Sequence, residues 1–230
     1  MKTTSTLFAF VLGIAVAYGQ TKIKAADIIQ QINDGRDVVY SNVEIEGNLD
    51  LTDLANRTER HSGRHSDDDN STFVSTVKVS LKFTDCVFSG KVLAYYSRNC
   101  GEETYIAHFE KDVVFKNCAF QMASEFKYSE FAQAAIFSGS SFTDTANFKY
   151  AEFASGPSFD DVKFQGGADF KYTDFPRETS FHKAIFNDVA DFKYAKFTSP
   201  IDLEGVAFNG GGEFKYTRID GRSFRSSRQE

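Results

Sequence analysis

The sequence has no tryptophan, three prolines and three cysteines, and it has no long apolar run beyond its first residues. Three cysteines are too few for the bridges that hold a small disulfide scaffold together. No run of about 18 apolar residues follows residue 19, so we expect no membrane span in the mature chain. The net charge of −6 is spread along the chain, which argues for solubility and against binding to nucleic acid.

The first 19 residues have the features of an export signal. Lys2 gives a positive start, an apolar run extends from Leu7 to Ala17, and small residues frame a cleavage position after Gly19. We therefore expect residues 1–19 to be a signal peptide and the mature protein to be periplasmic or extracellular.

Phenylalanine is what the chain has in abundance, with 25 residues. The triplet Phe-Lys-Tyr begins at five positions that are 22 residues apart, namely Phe126, Phe148, Phe170, Phe192 and Phe214. From Phe109 to Phe224 the large apolar residues follow one another at gaps of alternately six and five, apart from the last gap. Neither the 3.6-residue period of a helix nor the period of two of a long strand gives this series.

Small residues such as Ala146, Ala168 and Ala190 stand two positions before many of these apolar residues. Residues two apart on a strand share a face, so each unit is predicted to be a very short strand with two inward side chains. Four units then close one square turn of 22 residues, and successive turns stack at about 4.8 Å. Phe170 is predicted to lie between Phe148 and Phe192.

This pattern, from Leu81 to Phe224, resembles that of the pentapeptide-repeat proteins. The resemblance implies an all-β fold, a right-handed quadrilateral parallel β-helix (solenoid), with the central Phe or Leu and the small residue two before it pointing inward. The chain departs from the family pattern by one additional residue in every second unit, expected at corners or on two of the four sides. A leucine-rich repeat also has a period near 22, but each of its repeats needs a helical segment for which the eleven-residue half-period leaves no room.

The remaining segments divide as follows. Residues 20–54 are predicted to form a capping helix, from Ala25 to Ile32, and the first strands. Residues 55–72 are predicted to be a polar inserted loop, and residues 73–230 the solenoid with a basic C-terminal tail. The stretch from Tyr95 to Glu103 is predicted to be a second surface loop.

No catalytic motif stands out, so we expect neither enzymatic activity nor a cofactor. Metal-ligand residue types cluster only in the inserted loop, but Gly63 argues against the helix that would bring two histidines together, and a solvated loop is favoured over a metal site. The cluster consists of His61, His65, Asp67, Asp68 and Asp69.

Single histidines and cysteines are expected to be structural. His108 and His182 each adjoin an inward Phe and are expected to be lone, outward surface residues. Cys86 and Cys118 occupy inward positions and should be buried free thiols, whereas Cys100 should lie in a loop.

The repeated triplet places two outward columns on one side of the square. These columns are the candidate binding residues: Lys127, Lys149, Lys171, Lys193, Lys215, Tyr128, Tyr150, Tyr172, Tyr194 and Tyr216. One interpretation is structural, with rings stacked on rings and opposite charges offsetting each other. The other is a platform for an extended partner.

The sequence as a whole favours an exported, non-enzymatic scaffold that is structural or binds a protein or glycan at the bacterial envelope. A DNA mimic that modulates a topoisomerase, an activity that the resemblance suggests, is the alternative, although the Lys column and the signal peptide argue against it. An enzyme or metal site on residues 55–72 comes third. A homodimer formed through an end of the solenoid is a further expectation.

Overall fold

The structure is a computed structural model that describes residues 20–61 and 71–224, without the side chain of residue 61. The predicted signal peptide, the insert residues His65 and Asp67 to Asp69, and the tail at 225–230 lie outside the described residues. Within the described ranges no helix is both long enough and apolar enough to cross a bilayer.

The chain forms a right-handed β-helix whose short parallel strands stack on four faces, visited in the order one to four in each turn. Face 1 contains six strands, in a four-stranded sheet and a two-stranded sheet. Isolated bridges from Ser158 to Ile136 and to Ser180 link the two sheets. Its strands are β2 (Val38–Ser41), β7 (Leu81–Thr84), β12 (Val113–Lys116), β16 (Ala135–Ile136), β23 (Thr179–Ser180) and β27 (Ile201–Asp202). Face 2 is an eight-stranded sheet. Its strands are β1 (Thr21–Lys24), β3 (Val43–Glu46), β8 (Val87–Phe88), β13 (Ala119–Phe120), β17 (Ser141–Phe142), β20 (Lys163–Phe164), β24 (Ile185–Phe186) and β28 (Ala207–Phe208).

Faces 3 and 4 complete the square. Face 3 is a seven-stranded sheet of β4 (Leu49–Asp50), β9 (Val92–Leu93), β14 (Ser124–Glu125), β18 (Ala146–Asn147), β21 (Ala168–Asp169), β25 (Ala190–Asp191) and β29 (Gly212–Glu213). Face 4 contains β5 (Thr58–His61), β6 (Ser71–Val77), β10 (Tyr95–Arg98), β11 (Glu103–Phe109), β15 (Glu130–Phe131), β19 (Glu152–Phe153), β22 (Asp174–Phe175), β26 (Lys196–Phe197), β30 (Arg218–Ile219) and β31 (Arg222–Ser223).

The predicted Phe ladder is confirmed. From residue 109 onward, each face pairs residues 22 apart, as in Phe120 with Phe142 and Ala146 with Ala168. The Phe170 ring is buried and stacks at 5.2 Å on Phe148 and at 4.9 Å on Phe192. The apolar core is therefore a continuous set of ring columns along the axis.

The alternation of five- and six-residue gaps follows from two kinds of corner. At the five-residue corners, between faces 1 and 2 and between faces 3 and 4, a residue of positive φ closes a tight turn, as Asn117 and Tyr128 do with φ of 54° and 60°. At the other two corners the additional residue lies in the connection between strands. Of the two predicted locations, the corners or two of the four sides, the structure shows the corners.

A helix covers the first turn, as predicted. Helix α1 (Ala25–Asn33) buries Ile28 and Ile32 against the core, and Gly35 follows it with a φ of 71°. Burying these residues removes apolar side chains and strand ends of the first turn from water.

Both predicted loops contain strands. The prediction of a surface loop from Tyr95 to Glu103 is wrong, because β10 and β11 pair antiparallel around a 3₁₀ turn (Asn99–Gly101). In the segment 55–72, β5 pairs antiparallel with β6. Aromatic stacking joins these antiparallel strand pairs, because the centroid of the Tyr105 ring lies 4.5 Å from that of Tyr96 and 4.8 Å from that of Phe73.

The C-terminal end of the coil is open on three faces in the described part of the chain. Only face 4 ends in a reversal, where β31 pairs antiparallel with β30. Phe208 is 37% exposed, and it borders an apolar cavity of about 160 Å³ together with Leu203 and Phe214.

The three cysteines lie where the sequence predicts. Cys86 and Cys118 are buried and free, each directly before the paired strands β8 and β13, and Cys100 is exposed. A hydrogen bond between the two buried sulfurs lowers the pKa of Cys86 to about 6, and together with burial it raises the pKa of Cys118.

We expect a thiol reagent to modify Cys100 in the folded protein, and to modify Cys86 and Cys118 only in denaturant. Accessibility decides this outcome, because a buried thiolate cannot be reached by the reagent even when its pKa is low. Peptide mass spectrometry after brief labelling measures it. Labelling of Cys86 at the rate of Cys100 in native buffer would contradict the inward assignment.

Candidate functional site

The five tyrosines form one column at the corner between faces 3 and 4. Each has a φ between 58° and 65°. The turn is closed by a hydrogen bond such as that from the Ala151 amide to the Phe148 carbonyl at 2.9 Å. Successive rings stack with centroids 4.6–4.9 Å apart. The predicted stacking of the tyrosines is confirmed.

Stacking leaves only the edges and hydroxyls of most of these rings open. Tyr172 and Tyr194 have neighbours on both ring faces, yet they remain 39% and 40% exposed. Within residues 20–61 and 71–224, none of the five hydroxyls makes a hydrogen bond to another group of the chain. The column therefore presents hydrogen-bonding groups to its surroundings, whereas its ring faces belong to the coil.

Two lysines of the predicted site are held by carboxylates on face 3. Lys171 lies 3.1 Å from Asp169 and 3.4 Å from Asp191, and Lys193 lies 3.2 Å from Asp191. Burial acts to lower the pKa of Lys171, but the hydrogen bonds and charges of the two aspartates outweigh it and raise the pKa. These lysines offset the negative charge of face 3.

The other three lysines contact aromatic rings. Lys127 Nζ lies 3.1 Å from the Tyr95 hydroxyl and 4.5 Å from that ring's centroid. Lys149 and Lys215 lie 5.1 Å and 4.9 Å from the centroids of the tyrosines that follow them. Such cation–π contacts hold the ammonium groups against the tyrosine corner.

A third column of side chains, on face 3, also shapes the backbone; it is formed by Glu125, Asn147, Asp169, Asp191 and Glu213. Asp169 and Asp191 each accept a hydrogen bond from the amide of the lysine two residues later, at 2.9 and 3.0 Å. Asn147 does the same for Lys149 at 3.1 Å and donates to Glu125 at 2.7 Å. These side chains fix the approach to the tyrosine turn.

A groove runs along the other side of the tyrosine column, on face 4. It encloses about 570 Å³ along its C-terminal part and about 390 Å³ along its N-terminal part. The two parts share Tyr150 and Glu152. One wall is the tyrosine column. The other is a charged column formed by His108, Glu130, Glu152, Asp174, Lys196 and Arg218. We call this the Tyr groove.

The charged wall changes sign along its length. Glu130, Glu152 and Asp174 occupy its middle, and Lys196 and Arg218 its C-terminal part. Lys196 lies 3.1 Å from Asp174, and both side chains are well exposed. This wall was not among the predicted site residues, although its pattern is present in the sequence. Five of its members stand two residues after a tyrosine, namely Glu130, Glu152, Asp174, Lys196 and Arg218, and His108 continues the 22-residue spacing.

Neither of the two histidines is the lone surface residue that the sequence suggested. The His108 side chain is largely buried, and its Nδ1 accepts a hydrogen bond from the Glu130 amide at 3.1 Å. Burial lowers the pKa of His108 despite the nearby Glu130 carboxylate. His182 Nδ1 lies 3.3 Å from Asp202 Oδ2. Strand stacking brings these partners close although they are about 20 residues apart in sequence.

Comparison with known proteins bears on the repeat region. A family model described as pentapeptide repeats in nine copies matches four overlapping stretches, at residues 107–152, 126–174, 148–196 and 170–218. Searches of curated proteins and of solved structures gave no match. The matched stretches cover the turns that carry the Phe ladder and most of the Tyr groove. Over residues 107–218 this chain is a member of the pentapeptide-repeat family.

Proposed function

We propose that this protein is an exported, non-enzymatic β-solenoid scaffold at the bacterial envelope or outside the cell, and that its Tyr groove binds an extended protein or glycan. The observation that carries the proposal is the row of tyrosine hydroxyls that the coil itself does not use, facing a charged wall. The five rings extend over about 19 Å at the spacing of stacked strands, which suits an elongated partner.

A comparison inside the chain supports a role for tyrosine beyond the turn. The five-residue corner between faces 1 and 2 needs the same positive φ, and there the chain uses Asn117, Gly139, Asp161, Lys183 and Gly205. Asparagine, glycine and aspartate are the usual residues for that conformation, and they cost less strain there than tyrosine does. The tyrosine corner keeps Tyr in all five turns, so the ring or its hydroxyl contributes something that the backbone does not require.

The tyrosine hydroxyl is the feature that favours a binding role of the column over a packing role. A phenylalanine column would stack equally well and would add no polar group. The chain uses Phe throughout its interior but Tyr throughout this exposed corner. Hydroxyls and charged groups arranged on both walls of a groove favour a partner rich in hydrogen-bonding groups, such as a polypeptide or a glycan.

The triple variant Tyr150→Phe, Tyr172→Phe and Tyr194→Phe tests the proposal. It keeps the stacked rings and the turns, so the thermal unfolding temperature should hardly change. Each lost hydrogen bond is worth about 0.5–1.5 kcal/mol, so three together should weaken partner binding at least about tenfold. Binding is measured on glycan arrays and by pull-down from envelope fractions.

A control variant, Lys163→Ala with Gln165→Ala, alters face 2 on the opposite side of the coil and should bind as the native protein does. Equal capture by the native protein and the triple Phe variant would show that the tyrosine column is a packing device only. Cell fractionation with N-terminal sequencing tests the export part, for which we expect a mature chain that begins at Gln20. An uncleaved cytoplasmic chain would contradict it.

Two other expectations stay predictions. The DNA-mimic alternative requires a strongly negative surface, and Lys171 and Lys193 offset the carboxylates of face 3. The predicted homodimer would form through the C-terminal end of the solenoid, where Phe208 is exposed.

A further inference from the structure

We propose that His182, Asp202 and Glu204 form a divalent transition-metal site, with Zn²⁺ as the ion that fits it best. Their potential ligand atoms all lie within 4.8 Å of one another. The cluster lies at the corner between faces 1 and 2, diagonally opposite the Tyr groove. We call it the corner cluster. It is independent of the proposed binding function.

The coil brings the three residues together by its repeat. Ser180 pairs with Asp202 on neighbouring strands of face 1, so His182, two residues after Ser180, lies above Glu204. Backbone hydrogen bonds fix this register, from the Phe181 amide to the Asp202 carbonyl and from the Lys183 amide to the Glu204 carbonyl, both at 2.8 Å. The cluster therefore sits on a rigid frame, which favours metal binding because little ordering is required.

Asp202 is oriented toward the histidine. Its Oδ1 accepts the Glu204 amide at 2.8 Å, and its Oδ2 lies 3.3 Å from His182 Nδ1. Two ligand atoms on one tetrahedral zinc, each about 2.0–2.1 Å from the ion, are themselves separated by roughly 3.3–3.4 Å. The spacing of this nitrogen and oxygen thus equals that of two ligands that share an ion.

The histidine nitrogen provides a second observation. His182 Nδ1 is shielded from solvent and makes no hydrogen bond in the described structure, because its contact with Asp202 lacks hydrogen-bond geometry. The His182 side chain is 29% exposed, but a shielded nitrogen without a hydrogen bond is still costly, and a metal ion bound to this nitrogen would satisfy it. The exposed Asp202 and Glu204 leave the outer side of the cluster open to solvent.

The chemical types of the three ligand groups indicate which class of metal ion the corner cluster would bind. One imidazole and two carboxylates fit a first-row transition ion, with zinc commonly held by three such residues and one water. Asp160 stands one turn away in the same column as His182, but its two oxygens are already bound by the hydroxyls of Ser158 and Ser180. A water molecule would complete the tetrahedral set, as it does in zinc sites that have three protein ligands.

Zinc chloride alone is the probe, titrated into the mature chain by calorimetry at neutral pH. We expect one zinc per chain and a rise in the thermal unfolding temperature. The variants His182→Gln, Asp202→Asn and Glu204→Gln should each weaken zinc binding at least tenfold. Glu204→Gln alters only an exposed side chain, so it remains informative if another variant fails to fold.

Two controls locate the site. His108→Gln changes the histidine that lies 3.6 Å from Glu130 on face 4 and should leave zinc binding unchanged. The double variant His61→Gln with His65→Gln should also retain one zinc. The proposal is overturned if native protein binds no zinc, which leaves a His–Asp ion pair only, if His182→Gln binds zinc as tightly as native protein, or if the double variant abolishes binding.

Discussion

Replacing Phe170 with alanine is expected to lower the free energy of unfolding by about 3–5 kcal/mol. The ring is fully buried between Phe148 and Phe192, and its edge contacts Phe159 at a centroid distance of 5.4 Å. The cost is large because it combines lost burial with the cavity that remains.

The coil prevents neighbouring turns from filling that cavity. The Phe170 amide donates to the Asp191 carbonyl at 2.7 Å, and the Phe148 amide donates to the Asp169 carbonyl at 2.7 Å. These bonds hold the turns at strand spacing above and below position 170. Rings on adjacent turns therefore cannot approach each other, and the void stays close to ring size.

Urea unfolding followed by circular dichroism measures the loss. Phe208→Ala is the matched control, because the same residue type at the open end is 37% exposed, and its loss should cost less than half as much. Lys163→Ala, an exposed change beside Phe164, should stay within about 0.5 kcal/mol. A cost for Phe170→Ala no larger than that for Phe208→Ala would refute the continuous ladder.

The regular part of the fold could be predicted because one spacing determines it. Once residues 22 apart are known to stack, every inward Phe, the two outward columns and the position of Phe170 follow. The capping helix was also predictable, since Ile28 and Ile32 share a helical face and Gly35 follows as a stop signal.

The insertions could not be predicted from that spacing. Between Phe83 and Phe115, which stack at 5.3 Å, the chain adds ten residues to one turn, and these form the hairpin of β10 and β11. An antiparallel arm has no repeat to set its register. Its aromatic contacts, such as Tyr96 on Tyr105, become visible only in three dimensions.

The candidate sites could be predicted only in part. The tyrosine column was predicted, but the Tyr groove and the corner cluster each combine residues from two neighbouring columns. Listing columns singly conceals such pairs, which is why His182 was expected to be alone although Asp202 lies 3.3 Å away. Both sites occupy five-residue corners, where tight turns hold side chains on a rigid backbone.

Replacing Gly166 with alanine is expected to lower the free energy of unfolding by about 1–3 kcal/mol, the usual cost of overpacking. Gly166 lies at the six-residue corner between faces 2 and 3. A Cβ there would approach the Asp144 backbone, with its carbonyl carbon at 2.7 Å and its oxygen at 2.8 Å. The corner is fixed on both sides, because the Gln165 amide donates to the Phe142 carbonyl at 2.8 Å and the Gly167 carbonyl accepts the Ala146 amide at 2.9 Å.

Gly167 provides the control, since a Cβ at that position would meet nothing closer than the Val189 carbonyl oxygen at 3.9 Å. Neither glycine has a positive φ, so alanine fits the backbone at both sites. Gly167→Ala should raise the free energy of unfolding by about 0.4–1 kcal/mol, because it restricts the unfolded chain without crowding the folded one. Urea unfolding of the two single variants should therefore give changes of opposite sign. Equal changes would mean that neighbouring turns are not packed as closely at this corner as the structure places them.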